Sequence, residues 1–235
     1  MRILISLAST LAIAPSLALA SVDAPPEPPT PLPARTDRIQ GPFATGDAYC
    51  AFRERELGDD DGDIAQRPAP CTVREVDDAP RVRAGQAIRA YRIVEIQGEL
   101  HVVVETGAGW YGRGLVAASS GDSMRVDAVR LEDLVGDRDD ELAIDTHTSH
   151  DPCGCDDLWH AVSATFACTV LDGALRCTDG ITTADHMHLA DVWSWSSTLA
   201  IGRDGRARRT ITESERVSRR ELRALGRPFR VTFHR

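Results

Sequence analysis

The chain of 235 residues contains no lysine and no asparagine, so all 27 of its basic residues are arginine. Without asparagine there is no N-glycosylation sequence, and no active site can use an asparagine side chain. No long apolar run occurs after the N-terminus, which argues against an integral membrane protein. The 36 acidic residues give a net charge of −9, and an acidic chain is disfavoured as a nucleic-acid binder. No complete catalytic motif occurs either.

The N-terminus has the pattern of a secretory signal peptide. Arg2 precedes an apolar core, and Ala18-Leu19-Ala20 fits an A-x-A cleavage site. An uncleaved anchor is the alternative, but the apolar run is short and Pro15 interrupts it. We therefore predict a signal peptide at 1–20, a proline-rich spacer at 21–40 and one domain at 41–235. The predicted location is the periplasm or the extracellular space, with no transmembrane segment after cleavage.

The cysteines predict a disulfide-linked fold. An even number of cysteines in an exported chain indicates three disulfides among Cys50, Cys71, Cys153, Cys155, Cys168 and Cys177. Asp172-Gly173 is typical of a type I′ hairpin turn, and a two-residue loop there places Cys168 directly opposite Cys177. Cys50 with Cys71 is then the natural N-terminal pair. This leaves Cys153 and Cys155 to pair with each other or to exchange into the other pairs.

Short apolar or alternating segments recur along the chain with little helix between them. They predict a mainly β fold, built as an antiparallel meander that forms a sandwich, a barrel or a propeller-like sheet. The predicted strands are Arg89–Ile96, Leu100–Thr106, Gly109–Val116, Arg125–Leu131, Glu141–Thr148, Trp159–Val170, Ala174–Thr178, Ser197–Gly202 and Arg206–Thr212.

Two short helices flank these strands. The first is predicted at Asp47–Glu56. The second begins at a capping box formed by Ser218 and Glu221 and ends at Gly226. Phe229–Phe233 then predicts a last strand.

Charge is distributed unevenly. Residues 203–235 contain eleven arginines and four acids, whereas residues 21–202 have a net charge of −17. The simpler interpretation is that the basic end folds back onto the acidic body, because opposite charges on one small domain attract. The alternative is a basic surface that binds a partner, either a protein or an anionic cell-surface polymer.

The segment 131–144 contains an acidic turn between two apolar runs. It resembles the calcium loop of the FG-GAP or VCBS class of repeats, found in integrin-type propellers and bacterial secreted proteins. The resemblance implies a calcium ion held by oxygens. The candidate ligands are Asp133, Asp137, Asp139 and Glu141. Val135 replaces the family's second ligand and Arg138 its glycine. We therefore expect that the loop keeps this geometry without an ion and that the protein has no cofactor. Bound calcium is the alternative.

Four histidines form a second candidate site. Residues two apart on a strand face the same way, so His186 and His188 would point toward one metal ion. A zinc site would combine them with His147 and His150. Surface or hydrogen-bonded histidines are the simpler interpretation.

The sequence contains two weaker motifs. Cys153-Gly-Cys155 would be an oxidising redox pair, although the acids around it oppose thiol reactivity. Gly121-Asp122-Ser123-Met124 and Asp185-x-x-His188 resemble the two catalytic blocks of the GDSL/SGNH esterases. That resemblance implies a Ser123 nucleophile, a His188 base and an orienting Asp185.

Trp193 and Trp195 fall on one face of a strand. Sheet packing is the usual role of such a pair, and a platform for carbohydrate stacking is the alternative.

Together these features predict an exported, non-enzymatic binding or structural module of the cell envelope or extracellular space. The alternative functions are a metal-dependent enzyme that uses the four histidines and an SGNH-like serine esterase.

Overall fold

The computed structural model describes residues 38–58, 71–117, 122–134, 138–150, 159–188, 192–202 and 205–234. These residues form two antiparallel sheets and two short helices, so the predicted mainly β fold is confirmed. Cys153 and Cys155, the predicted signal peptide and most of the predicted spacer lie outside the described residues.

The small sheet has five strands in the order β1–β5–β4–β3–β2. They are β1 (Gln40–Phe43), β2 (Thr72–Val73), β3 (Ala90–Ile96), β4 (Glu99–Thr106) and β5 (Gly109–Ala117). The central three form the predicted meander. Gln97 and Gly98 join β3 to β4, and both have the positive φ that a type I′ turn requires, 47° and 79°. The edge strands β1 and β2 are additions to the predicted set.

Helix α1 (Gly46–Gly58) covers one face of the small sheet. Thr45 caps it, since its hydroxyl accepts the Ala48 N–H at 3.0 Å. The buried contacts join helix to sheet through Tyr49, Cys50, Leu57, Val94, Ile96 and Val103. The predicted Cys50–Cys71 disulfide is present and links the helix to the start of β2.

The large sheet runs in the order β6–β7–β8–β10–β11–β12–β13. Its strands are β6 (Asp122–Glu132), β7 (Glu141–His150), β8 (Trp159–Leu171), β10 (Ile181–His188), β11 (Val192–Ile201), β12 (Arg206–Glu215) and β13 (Phe229–Arg230). β9 (Ala174–Cys177) pairs with the C-terminal part of β8. β11 begins five residues before its predicted start, because the alternating Val-Trp-Ser-Trp-Ser segment is itself part of the strand.

The two sheets pack face to face as a sandwich with a shared apolar core. Leu100, Val102 and Val104 alternate along β4 and point into this core from the small sheet. The large sheet contributes Leu142, Ile144, Phe166 and Leu175, all of them buried. Burying each such side chain contributes about 1.5–3 kcal/mol.

The β8–β9 hairpin has the predicted register. Asp172 and Gly173 form the turn with φ values of 54° and 75°, and Cys168 lies opposite Cys177. The disulfide between them is fully buried, with its two Cα atoms 4.0 Å apart. This short separation fits the closely spaced, non-hydrogen-bonded type of cross-strand pair.

The C-terminal segment returns along the edge of the large sheet. Helix α2 (Arg219–Leu225) has the predicted capping box, in which Ser218 and Glu221 each accept a backbone N–H from the other residue. The predicted last strand is shorter than expected, since only Phe229 and Arg230 pair with β12. His234 forms a separate bridge to Cys177.

Candidate functional site

One face of the large sheet carries polar side chains and a tryptophan over the half of the sheet farthest from the β8–β9 hairpin. The strand registers place alternate residues of five adjacent strands on this face. We call it the polar face, and it comprises Ser123, Arg125, His147, Ser149, Trp159, Ala161, Ser163, Ala184, His186, His188, Val192, Ser194 and Ser196.

His147 and His186 lie on the polar face on either side of β8. The His147 Nδ1 atom is 3.1 Å from the hydroxyl of Ser163, its partner in the register. Burial lowers the pKa of His147, and the charge of Arg125 lowers it further, although the paired Asp127 opposes that second effect. His147 is therefore a neutral imidazole at pH 7, available for hydrogen bonding.

His150 lies on the opposite face of the sheet, beside a histidine that was not among the candidates. His150 is paired in register with His160, and each imidazole contacts a carboxylate. The His150 Nδ1 atom contacts Asp122, and the His160 Nε2 atom lies 2.8 Å from Asp185. Alternation along β8 could have shown that His160 faces the interior.

The four candidate zinc ligands are thus divided between two faces. His147, His186 and His188 share the polar face, but His188 is stacked on an indole ring and His150 points the other way. In the part of the chain that the structure describes, no group of three or more metal-ligating side chains is arranged to hold an ion.

The candidate esterase residues are not brought together. The Ser123 hydroxyl is 2.7 Å from that of Ser149, and Asp185 pairs with His160. Ser123 and His188 share a face but lie on strands separated by two others. Neighbouring strands are about 4.8 Å apart, so the two residues are at least roughly 14 Å apart. That distance is too long for proton transfer from a serine to a histidine.

In the acidic loop, the last candidate calcium ligand, Glu141, accepts hydrogen bonds from the protein itself. Val135, Gly136 and Asp137 lie outside the described residues. Glu141 is buried, and its carboxylate accepts hydrogen bonds from the Leu134 N–H at 2.5 Å and the Thr169 hydroxyl at 3.1 Å. Protein donors therefore occupy part of one candidate calcium ligand. A loop without an ion stays the prediction, and calcium at Asp133, Asp137, Asp139 and Glu141 stays its alternative.

The exposed tryptophan is not one of the two that the strand pattern singled out. Trp195 is buried, and Trp193 is half-buried on the same face, opposite the polar face. Trp159 is 36% exposed, and its ring lies parallel to that of His188 with the centroids 5.9 Å apart.

The exposed arginines of β12, α2, β13 and the segments that connect them form a second surface, which we call the arginine surface. It comprises the exposed residues Arg206, Arg208, Arg216, Arg219, Arg220, Arg223, Arg227 and Arg230. Arg206 and Arg230 lie opposite each other in the register. Apart from Arg206, none of the eight forms an ion pair within the described chain.

The basic region is therefore not attached to the acidic body by ion pairs from these side chains. Arg209 is the arginine of β12 that turns inward: its guanidinium lies over the Phe229 ring at 4.6 Å and donates to the Thr182 carbonyl at 2.7 Å. Burial lowers the pKa of Arg209. Phe233 and Ile201 add apolar contacts with Ala143 and Ala167.

A buried polar network under α1 was not predicted. The Tyr49 hydroxyl lies 2.8 Å from His101 Nδ1, and His101 Nε2 lies 3.1 Å from Glu99. Arg53 donates to Glu99 at 2.9 Å and to Glu56 at 2.6 Å. The network is closed to substrates, because Tyr49, Arg53 and His101 are at most 1% exposed. We regard it as a structural link between helix and sheet.

Burial sets the protonation states of this network. It raises the pKa of Tyr49, so the phenol stays neutral. It lowers the pKa of His101, an effect that the neighbouring Glu99 only partly opposes. Burial alone would lower the pKa of Arg53, but the hydrogen bond to Glu56 and the charge of Glu99 help to raise it. His101 and Tyr49 are therefore neutral partners beside a charged Arg53–Glu99 pair.

No family model, curated protein or solved structure matches the chain. Among the described residues, no helix is long and apolar enough to cross a membrane.

Proposed function

We propose that this protein is an exported, non-enzymatic binding module of the cell envelope or extracellular space, and that its arginine surface holds an anionic polymer. The observation that supports this proposal is the set of seven exposed arginines without an ion-pair partner in the described chain. Arginine stays charged at every physiological pH and binds carboxylates, phosphates and sulfates through two parallel hydrogen bonds.

The geometry of these arginines suits a repeating charge better than a single ion. Arg206 and Arg208 are two residues apart on one strand, so they share a face about 7 Å apart, and Arg230 lies beside Arg206. Arg219 and Arg223 are one turn apart on α2. The acidic body repels an anionic chain elsewhere, since residues 21–202 have a net charge of −17. Binding would therefore be confined to the arginine surface.

Export is supported by two independent features. The first 20 residues have the pattern of a signal peptide, and two disulfides are present in the fold. Disulfides persist in oxidising compartments and are rare in the cytosol. The proline-rich segment that precedes the described residues would hold the module away from the structure to which it is attached.

The enzyme alternatives have less support. Ser123, Asp185 and His188 all contact other partners, and the four candidate histidines are divided between two faces. The arrangement favours binding over catalysis.

The test is a titration with polygalacturonate, heparin and polyphosphate at several salt concentrations. We expect at least one of these polyanions to bind at low salt. The logarithm of its association constant should fall linearly with the logarithm of salt concentration, by about 0.7–0.9 for each charge contact if the rule for nucleic acids applies.

A triple variant with Arg219→Gln, Arg220→Gln and Arg223→Gln should weaken binding about tenfold or more and reduce the salt slope. The matched control changes three exposed arginines outside this surface, Arg55, Arg81 and Arg89, to glutamine, and should bind more tightly than the test variant. Equal loss in both variants, or no binding of any polyanion by the native protein, would overturn the proposal.

A further inference from the structure

We propose that the polar face is a separate site that binds a neutral saccharide chain, with Trp159 as its stacking platform. The observation behind it is the combination of an exposed indole, held by a neighbouring ring, with uncharged hydrogen-bonding side chains on the same face. This site is distinct from the arginine surface.

Trp159 has the properties of a preformed platform. Its ring is 36% exposed and parallel to the ring of His188, its partner in the register of β8 and β10. The stack covers one side of the indole and orients it, so that little conformational freedom is lost on binding. The C–H face of a sugar ring is apolar and packs against an aromatic face.

Beside Trp159, the sheet has a floor of small side chains. Ala161, which is buried, and the half-buried Ser163 follow on the same face of β8, and the half-buried Ala184 is paired with Ser163. His147 and His186 lie on either side of this floor, on β7 and β10. From Trp159 to Ser163 the strand extends about 14 Å, which accommodates a short run of sugar rings.

The hydrogen-bonding groups around the floor match sugar hydroxyls. The hydroxyls of Ser123, Ser149 and Ser163 each donate and accept, and neutral His147 has one donor and one acceptor nitrogen. A saccharide hydroxyl has the same double capacity, so these groups satisfy one another without a buried charge.

Charge selects a neutral ligand. Arg125 is paired with Asp127 at 2.6 Å, so its charge is compensated. Glu213 and Glu215 are register partners of Ser196 and Ser194, which places two exposed carboxylates at one side of the polar face. They would repel an acidic saccharide, which is the class proposed for the arginine surface.

The experiment uses the full chain without its predicted signal peptide and four neutral probes: cellohexaose, xylohexaose, chitohexaose and maltohexaose. Binding is measured by tryptophan fluorescence and by calorimetry at high salt, where the arginine surface is screened. We expect at least one probe to bind with a dissociation constant of about 1 mM or tighter.

Two substitutions test the face itself. Trp159→Ala should weaken binding about tenfold or more, and His186→Ala by a smaller factor. The controls are Trp193→Phe and His150→Ala, which change the same residue types on the opposite face and should leave binding unchanged. Thermal melts establish whether each variant is folded. If Trp159→Ala does not fold, the His186→Ala variant still tests the proposal.

The proposal is overturned if none of the four probes binds, or if a folded Trp159→Ala variant binds as tightly as the native protein. It is also overturned if the control variants lose binding to the same degree. The arginine-to-glutamine triple variant should keep its saccharide binding, so failure of this inference and failure of the proposed function are distinguishable.

Discussion

Arginine has two different roles in two regions of this molecule. In the sandwich, Arg53 is 1% exposed and lies between Glu99 and Glu56, while Arg113 is 2% exposed and bonded to the Cys177 carbonyl and Asp179. On the arginine surface the same side chain is exposed, and seven of the eight form no ion pair in the described chain. A chain without lysine thus uses one cation both as an internal link and as a free charge.

The comparison shows that the position of the acids decides which role an arginine takes. Arg113 extends from β5 to the last residue of β9 and to Asp179 just after it, and so joins the two sheets of the sandwich. Arg130 on β6 contacts both carboxylate oxygens of Asp145 on β7. Burial alone would lower the pKa of Arg130, but the contact with Asp145 helps to raise it. Substitution in the two regions should therefore have opposite consequences for stability and binding.

The largest expected effect is the loss of Arg53. Arg53→Met keeps most of the side-chain volume but leaves the buried Glu99 carboxylate without its cation. Breaking a buried ion pair on one side typically costs about 3–5 kcal/mol. We expect a decrease of that size in the free energy of unfolding, measured by urea titration. Arg220→Met, on the arginine surface, is the matched control and should change it by less than about 0.5 kcal/mol. Equal effects would contradict the comparison.

Loss of one disulfide is the next largest effect of a change at a single site. The Cys50–Cys71 and Cys168–Cys177 bridges close loops of 21 and 9 residues, and chain entropy assigns each about 3 kcal/mol. The double variant Cys50→Ala with Cys71→Ala should show the loss of the bridge that holds α1. Denaturation with and without dithiothreitol should show the larger, combined loss of both bridges. An unchanged unfolding midpoint in reductant would show that neither bridge stabilises the sandwich.

Local sequence signals predicted local structure well. Asp172-Gly173 established the β8–β9 register and with it the Cys168–Cys177 pair, because turn chemistry and side-chain alternation act over a few residues. The capping box at Ser218 likewise identified the start of α2.

The candidate sites were harder to predict than the local structure, because most of their contacts join segments that are distant in the sequence. His147 and His150 are three residues apart, so strand alternation alone places them on opposite faces, and this signal was available in the sequence. The Tyr49–His101 contact joins residues 52 positions apart and has no local pattern. The exposure of Trp159 and the burial of Trp195 depended on which face of the large sheet is covered.

The pH dependence of stability should come from the sandwich and not from the arginine surface, because arginine does not titrate in the physiological range. Burial lowers the pKa of His101 below its usual value of about 6.5, so the unfolded chain binds the proton more readily than the folded protein. The stability that neutral His101 provides is present above about pH 6.5 and is lost as the pH falls toward the folded value. The slope is at most about 1.4 kcal/mol per pH unit for one proton.

His101→Gln tests this assignment. Glutamine keeps an acceptor for the Tyr49 hydroxyl and a donor toward Glu99, but it does not titrate. Unfolding measured between pH 7.5 and 5 should be flatter in the variant than in the native protein. If both proteins lose stability in parallel, another group is responsible for the acid sensitivity.

The smallest expected effect is a gain in stability, whereas the substitutions above reduce it. Arg230 lies directly opposite Arg206 in the register of β12 and β13, and like charges at such positions destabilise a strand pair. Arg230→Gln removes this repulsion without removing an ion pair of the described chain, so the melting temperature should rise slightly, by an amount equivalent to a few tenths of a kcal/mol. Polyanion binding should weaken in the same variant. If this surface is kept charged for a partner, the variant should gain stability and lose binding. A drop in melting temperature would instead mean that Arg230 stabilises the fold as Arg53 does.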